Sequence, residues 1–304
     1  MLQFNGDIAE YGGDWLDTDE NTVPSDTIRF KFGQANYTPP SITGVEWIRM
    51  MQSPNVWDAH ITSYVDSGYN IFRNKFTNVS GNPVQIVCGS LGTAQAPSRP
   101  SGLFDGCTGL TQVGPLSITT EDYYTCSYLF RGCTNLNSAD IDATHVGTVG
   151  ISFYEAFKNC TSLSSINLSV TGKIGDAQYM FMNCTSLSAI NTSANCKIGN
   201  AQYMFYNCES LTTAPALDLS EATNLTGMYQ ECSSLTAVPM YTLREFVMIS
   251  SMFAYCYNVE SGAYDFYDYA RTRYPNPVTR CFRDCGSNTT TGAAELARIP
   301  SSWK

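Results

Sequence analysis

The sequence predicts an α/β repeat solenoid whose coils each carry a short helix and a short parallel strand, with a β-rich N-terminal cap and a helical C-terminal cap. Three observations predict it. An aromatic-x-x-Cys phrase recurs eight times, its cysteines stand 24 to 29 residues apart, and apolar residues occupy fixed offsets around each cysteine. A steady period in that range marks stacked supersecondary units, none of which buries its apolar face alone.

The phrase begins at Phe104-Asp-Gly-Cys107 and Phe130-Arg-Gly-Cys133. It continues through Phe157/Cys160, Phe181/Cys184, Phe205/Cys208, Tyr229/Cys232 and Phe253/Cys256 to Phe282/Cys285. Four residues before the cysteine stands Leu or Met in six copies, with Ala156 and Cys281 as the exceptions. Seven before it the residue is mostly apolar. Offsets of three, four and seven fit the inner face of a helix of about two turns. The residue just before the cysteine is Gly106, Gly132, Asn159, Asn183 or Asn207 in the first five copies, types that tolerate the left-handed backbone ending a helix. After the cysteine come Leu110, Leu136, Leu163, Leu187, Leu211, Leu235 and Val259, then Val113, Ala139, Ile166, Ile190, Ala214 and Val238 three residues later. Small polar residues between them complete a short strand with Leu and Ile inside.

The flanks read differently. Residues 1–26 form an acidic arm, where the cluster Asp14, Asp17, Asp19 and Glu20 departs from the EF-hand spacing and lacks its glycine. A solvated loop or a docking arm suits it better than a calcium site. Residues 27–92 alternate polar and apolar in Thr27–Phe32, with further strand candidates at Val45–Met50, Asn70–Phe76 and Pro83–Cys88. They are expected to form a β-rich cap or attachment domain over the first coil of a solenoid spanning 93–260. In the C-terminal cap, 261–304, Tyr264–Arg273 reads as a helix halted before Pro275, Gly286–Gly292 as a loop, and Ala293–Arg298 as a last helical turn.

Composition removes several functions. The chain has 304 residues, a formal charge of -10 and only 14% charged residues, with no Lys/Arg cluster, so nucleic acid is not an expected partner. No apolar run is long enough to span a bilayer. The N-terminal residues lack a basic region, an apolar core and a cleavage site, which predicts a product made and folded in the cytoplasm. Of the 12 cysteines, eight form the repeat column and Cys126 and Cys281 replace core residues; Cys88 and Cys196 complete the set. Stacked side chains point in parallel rather than at one another, so a ladder of buried free thiols is expected instead of disulfides.

The phrase Met180-Phe-Met-Asn-Cys184-Thr-Ser-Leu187, nearly repeated from Met204 to Leu211, resembles the BspA-type leucine-rich repeats, also described as a repeat domain first noted in mycoplasmas. The segment from Asn258 to Trp303 resembles the end of such proteins from gut Bacteroidales and their phages. The resemblance implies a leucine-rich-repeat solenoid used for adhesion, with no catalytic residues to carry over and no cofactor. Bacterial members are secreted or lipid-anchored. Adhesin-like repeats without an export signal instead fit a structural or receptor-binding component on the surface of a phage virion. Its partners would be other virion proteins or copies of itself, and a host surface glycan or protein.

Catalytic constellations are sparse. His60 and His145 are the two histidines, and no G-x-S-x-G elbow occurs. Cys281-x-x-x-Cys285 places one thiol in each of two core columns, which disfavours a metal there. A repeat-built glycosidase would need facing carboxylates on adjacent coils. Asp140 and Asp142 share one strand face, but Glu155, Asp176 and Glu209 fall in different columns and Asn200 aligns with Asp176. Tyrosines are the better candidates. Tyr128, Tyr179 and Tyr203 share the column five before the cysteine, with Tyr206 nearby, offering flat faces and hydroxyl tips to a glycan or a protein. The competing reading is that these rings merely pack along the outside of the helices or face a neighbouring subunit. A bacterial cell-surface adhesin and a polysaccharide-degrading repeat enzyme stay open as alternative functions.

Overall fold

A computed structural model describes residues 84–88, 102, 105–106, 108, 112–120, 126–145, 149–193, 196–274 and 278–304. The acidic arm, most of the 27–92 unit, His60, Phe104 and Cys107 lie outside these residues. Strands β1 (Val84–Cys88), β2 (Gln112–Thr120), β3 (Ser138–His145), β5 (Ser165–Thr171) and β7 (Ala189–Thr192) form one parallel sheet in the order β1-β2-β3-β5-β7. A second ladder joins β4 (Ile151–Ser152), β6 (Lys173–Asp176) and β8 (Lys197–Ile198), also in parallel. Parallel pairing of successive coils is what a solenoid requires. The strand β1 pairs with Leu116–Thr120 of β2, so it belongs to the sheet of the repeats. Along β5, Ile166, Leu168 and Val170 are buried and alternate with exposed Asn167, Ser169 and Thr171, the period of two that seats one face in the core.

The segments before the cysteines are not helices. In the coil of Cys133, the N–H groups of Leu129, Arg131 and Cys133 turn back onto the carbonyls of Cys126, Tyr128 and Phe130 at 3.1 to 3.4 Å. The intervening N–H groups of Tyr128, Phe130 and Gly132 donate across to Tyr154, Ala156 and Lys158 of the next coil at 2.7 to 2.8 Å. The alternation recurs in later coils and builds a ribbon of stacked turns. Backbone φ is positive five residues before the cysteine (52 to 62° from Tyr128 to Arg280) and one before it (55 to 72° from Gly132 to Asp284). A positive φ at the third position is the mark of a type II turn, so each coil carries two in tandem. Residues at offsets seven, four, three and zero point inward in this ribbon, the same apolar pattern a helix would show.

Spacing explains the choice of turns. Successive rings Phe130, Phe157, Phe181, Phe205, Tyr229, Phe253 and Phe282 stack at 5.2 to 6.0 Å between centroids. That step is close to the ~4.8 Å of paired strands, whereas packed helices need about 8–10 Å. Turns let the ribbon face advance at nearly the strand step, so the coils need not fan apart.

Among the described residues of the cysteine column, Cys160, Cys184, Cys208, Cys232, Cys256 and Cys285 are buried free thiols. Each of Cys160, Cys184, Cys208, Cys232 and Cys256 also donates its Sγ–H to the carbonyl of the aromatic residue in the preceding coil, at 3.0 to 3.2 Å. Cys126 and Cys281 occupy core columns as expected, and Cys196 is buried as well.

Beyond β7 the sheet thins to single bridges such as Ala237↔Ser261. Pro215 and Pro239 stand where Asn167 and Asn191 stood, and proline cannot donate to a central ladder. The Pro215 carbonyl instead accepts from the buried Tyr241 hydroxyl at 3.0 Å, which is bonded in turn to Tyr229, the one tyrosine in the anchor column. Over the last coil lie helix α1 (Ala263–Arg271), helix α2 (Thr290–Arg298) and a 3-10 turn, Ser301–Trp303. α2 begins earlier than expected because the Thr289 hydroxyl accepts from Gly292 N at 3.0 Å, capping a turn inside the presumed loop. Phe282 N donates to the Trp303 carbonyl, and the indole stacks on Phe282 at 6.4 Å, where a further coil would otherwise continue the column.

Candidate functional site

The outer surface of the turn ribbon is built from the two central residues of each turn: those six and five, and those two and one, before the cysteine. These positions face away from the core because their neighbours at seven, four, three and zero are buried. Ribbon geometry therefore arrays outward side chains in columns that repeat at the coil step. In four coils the first turn is locked at its entry. The side chains of Ser152, Asp176, Asn200 and Asn224 accept from the N–H two residues later at 2.9 to 3.2 Å. Asp176 thus does the same work as Asn200, and its charge is incidental to that column.

The structure brings the tyrosines named from the sequence together and adds one. Tyr154 lies between Tyr128 and Tyr179, so one ring stands on each of four successive coils, with centroid steps of 5.3, 5.8 and 5.6 Å to Tyr203. Tyr206 packs edge-on against Tyr203 at 5.7 Å. Column alignment overlooked Tyr154 because it stands six residues before its cysteine, with Glu155 in the tyrosine column. The signal was present in the sequence as a neighbouring aromatic on the same turn. The rings are half-buried, packed on one another and partly open to solvent. Burial pushes the Tyr154 and Tyr206 hydroxyls up to about 12, and Tyr206 is further held protonated by its 2.8 Å bond to Glu231. Near neutral pH these hydroxyls therefore act as hydrogen-bonding groups rather than phenolate bases.

Charges gather at one end of this band. Arg131 donates twice to Asp105, at 3.0 and 2.6 Å, and reaches Glu155 at 3.4 Å, while Lys158 bonds Glu155 at 2.9 Å. The Asp105 carboxylate holds the Arg131 guanidinium above its ordinary range, so this arginine is a fixed cation. Its guanidinium carbon sits 4.5 Å from the Tyr128 ring centroid, and Lys158 Nζ sits 5.4 Å from that of Tyr179. In the next two coils the outward positions are neutral: Gln178, Met182, Asn183, Gln202 and Asn207 accompany the tyrosines. The asparagines bond in sequence, Asn183 to Asn159 at 2.9 Å and Asn207 to Asn183 at 3.2 Å.

Other candidates stand apart from the band. Asp140 and Asp142 lie on the outward face of β3, opposite Pro115 and Ser117 on one side and Asn167 and Ser169 on the other. No carboxylate faces them at those positions. His145 ends β3, and its partner in the ladder is Thr120. On the return edge, Glu221 bridges Lys197 at 2.6 Å and Lys173 at 2.9 Å; the two lysines hold its carboxyl down to about 2. Phe246 and Met248 are exposed on that edge, and nothing in the structure explains why. Among the described residues no helix is long and apolar enough to cross a membrane. Flat aromatic faces, fixed amides and a paired charge cluster can bind; they do not make a nucleophile with a base.

No curated protein and no solved structure matches this chain. The family description "BspA type Leucine rich repeat region" matches it in six copies, over residues 98–236 and 154–264, together more than half its length. The ladders from β2 to β8 and the aromatic-x-x-Cys spine from Phe130 to Cys256 lie within that span, and the chain belongs to the BspA-type leucine-rich repeat family.

Proposed function

We propose that this chain is a non-enzymatic adhesion protein on the surface of a phage particle. It is attached through its N-terminal part and presents the repeats to a host glycan or protein. The observation that carries the recognition role is the band Tyr128, Tyr154, Tyr179, Tyr203 and Tyr206 along the ribbon's outer face. Aromatic residues with polar tips are what recognition surfaces concentrate. The non-enzymatic part is supported by Asp140 and Asp142 facing only uncharged residues, and by Asp176 being spent on a turn. Placement on a virion is supported by the resemblance of the Asn258–Trp303 segment to the ends of phage-encoded proteins.

Purified particles test the placement. Mass spectrometry is expected to find the chain in them, and labelling against the repeats is expected to mark the particle surface. Absence from particles, with the chain recovered on bacterial cell surfaces, would transfer the role to a cellular adhesin. Release of reducing ends from host polysaccharide, lost on Asp140→Asn or Asp142→Asn, would replace binding with catalysis.

A further inference from the structure

We propose that residues 1–26 of one copy dock on the C-terminal cap of a second copy, joining solenoids head to tail through carboxylates held by the cap's unpaired cations. The inference goes beyond the adhesion role and does not depend on it. Charge pairing, the aromatic surface of the cap and the order of the coils lead to it.

Unpaired cations gather in the cap. In the repeats, Arg131 pairs with Asp105 and Glu155, Lys158 with Glu155, and Lys173 and Lys197 with Glu221. Among the described residues, the Arg and Lys side chains with no carboxylate partner are Arg244 in the repeats and Arg273, Arg280, Arg298 and Lys304 in the cap. Residues 261–304 carry six Arg and Lys against four Asp and Glu, on a chain whose net charge is -10. Three of those four acids are engaged elsewhere. Asp268 pairs with Arg271 at 2.7 Å, Asp284 stands 3.9 Å from Arg283, and Glu295 accepts from Tyr264 N at 3.2 Å.

Three of these cations surround one aromatic cluster. Arg298 lies over the Tyr264 ring at 3.5 Å, Tyr264 packs on Tyr267 at 5.8 Å, and Tyr267 meets the Trp303 indole edge-on at 5.2 Å. Lys304 follows Trp303 and donates to the Leu296 carbonyl of α2 at 3.1 Å. Tyr274 reaches the same indole at 6.5 Å, and Arg273 beside it lies over Tyr269 at 3.7 Å. Tyr264, Tyr267 and Tyr274 are each partly open to solvent. A guanidinium seated on a ring face keeps its N–H edge for a carboxylate, which it grips with two parallel bonds.

Residues 1–26 have the complementary chemistry. They hold seven Asp and Glu and no Lys or Arg, with Tyr11, Trp15 and Leu16 among the acids as apolar partners for the cap tyrosines. Opposite charge on the two surfaces steers their encounter and fixes which ends meet. The order of the chain makes the partner a second copy. Residues 1–26 precede β1, the edge strand of the order β1-β2-β3-β5-β7, whereas the cap lies at the far end, past the last of six ring steps of 5.2 to 6.0 Å from Phe130 to Phe282. A contact between unlike ends of identical subunits is heterologous and repeats from copy to copy.

Sedimentation velocity of the full chain tests this. In about 0.1 M salt the chain is expected to form assemblies that grow with protein concentration. In about 1 M salt, where the screening length falls from about 10 to about 3 Å, association should weaken about tenfold or more. Two full-length variants give the decisive comparison. One carries Asp14→Asn, Asp17→Asn, Asp19→Asn and Glu20→Gln; the other carries Arg298→Glu and Lys304→Glu. Each should be monomeric alone. Mixed, they should form a one-to-one pair and nothing larger, since only the intact arm of the second can meet the intact cap of the first. A synthetic peptide of residues 1–26 should dissolve the parent's assemblies. Asp140→Asn with Asp142→Asn removes two acids from the sheet face and should leave association unchanged. Thermal melts identify variants that keep the fold, and Arg298→Gln replaces the double reversal if that one does not. A parent that stays monomeric, assemblies indifferent to salt, to the peptide or to folded arm and cap variants, assemblies lost with Asp140 and Asp142, or a mixture without the pair would each overturn the proposal. Particle localisation and host binding are scored separately, so the adhesion reading can fail or stand independently.

Discussion

The turn ribbon and the sheet are two solutions to stacking the same coils, and they do not last equally long. Coil-to-coil backbone bonds in the ribbon run from that of Gly102 N to the Ser127 carbonyl to that of Tyr255 N to the Arg283 carbonyl, while the sheet ends as a ladder at β7 and survives beyond it as single bridges. The ribbon satisfies half its N–H groups within the coil and half across to the next. It is also backed by an unbroken column of stacked rings and thiols. A parallel strand depends wholly on its neighbours, so one proline at a rung removes it. The comparison teaches that the aromatic-x-x-Cys phrase, more than the leucine-bearing strand, holds this solenoid together.

Alkali should break the ribbon side first and most severely. Burial raises the thiols of Cys160, Cys208 and Cys256 well above their ordinary range, Cys232 to about 12 and Cys196 to about 11. In the unfolded chain these groups ionise near their ordinary value of 9.0. The folded state therefore binds more protons above that pH, and stability present below it is lost as pH rises. Each buried thiol contributes a loss of about 1.4 kcal/mol per pH unit in that window. Summed over these five thiols, the loss reaches about 7 kcal/mol by pH 10, comparable to the stability of an ordinary domain. Denaturant midpoints measured from pH 7 to 10 should fall steeply, and each Cys→Ala variant should flatten the slope by one proton. A profile flat to pH 10 would show that the column is not buried as thiol.

A direct contrast comes from Phe205→Ala and Ile190→Ala. Phe205 is fully buried between Phe181 and Tyr229, so its truncation should cost about 3–5 kcal/mol. Ile190, on β7, is only partly buried, and its truncation should cost about 2 kcal/mol or less. Equal losses in chemical denaturation would reject the ribbon as the stronger side.

Where the sheet gives way, the buried hydroxyl pair replaces it. Tyr241→Phe leaves both the Pro215 carbonyl and the Tyr229 hydroxyl without their bond to Tyr241, a loss of about 1–3 kcal/mol. Tyr229→Phe keeps the bond from Tyr241 to Pro215 and should cost about 1 kcal/mol or less. Urea melts of the two variants should separate in that order. An effect of similar size belongs to the turns: Asn183→Ala, at a φ of 62°, should cost about 1 kcal/mol, with Asn183→Gly closer to the parent.

Much of this was legible in the residues. The period, the thiol column and the inward Leu and Ile positions follow from the spacing of Phe, Cys and Leu, because a core position tolerates few side-chain types. The helices before the cysteines were misread because offsets of zero, three, four and seven point inward both in a helix and in two tandem turns. Asn and Gly just before the cysteine signalled a positive φ correctly. Tyr128, Tyr179 and Tyr203 take the same conformation without any residue type to announce it. Tyr154 was missed because membership of the band depends on which turn residues face outward, not on alignment column.

The sequence by itself determined that this is a solenoid, which residues fill it and where its column of thiols runs, since burial and period are written in residue type. Tertiary structure decided that the outward segment is a ribbon of turns. The coil step is set jointly by strands, rings and backbone bonds from neighbouring coils, and it is too short for packed helices. The same step turns four scattered tyrosines into one continuous row.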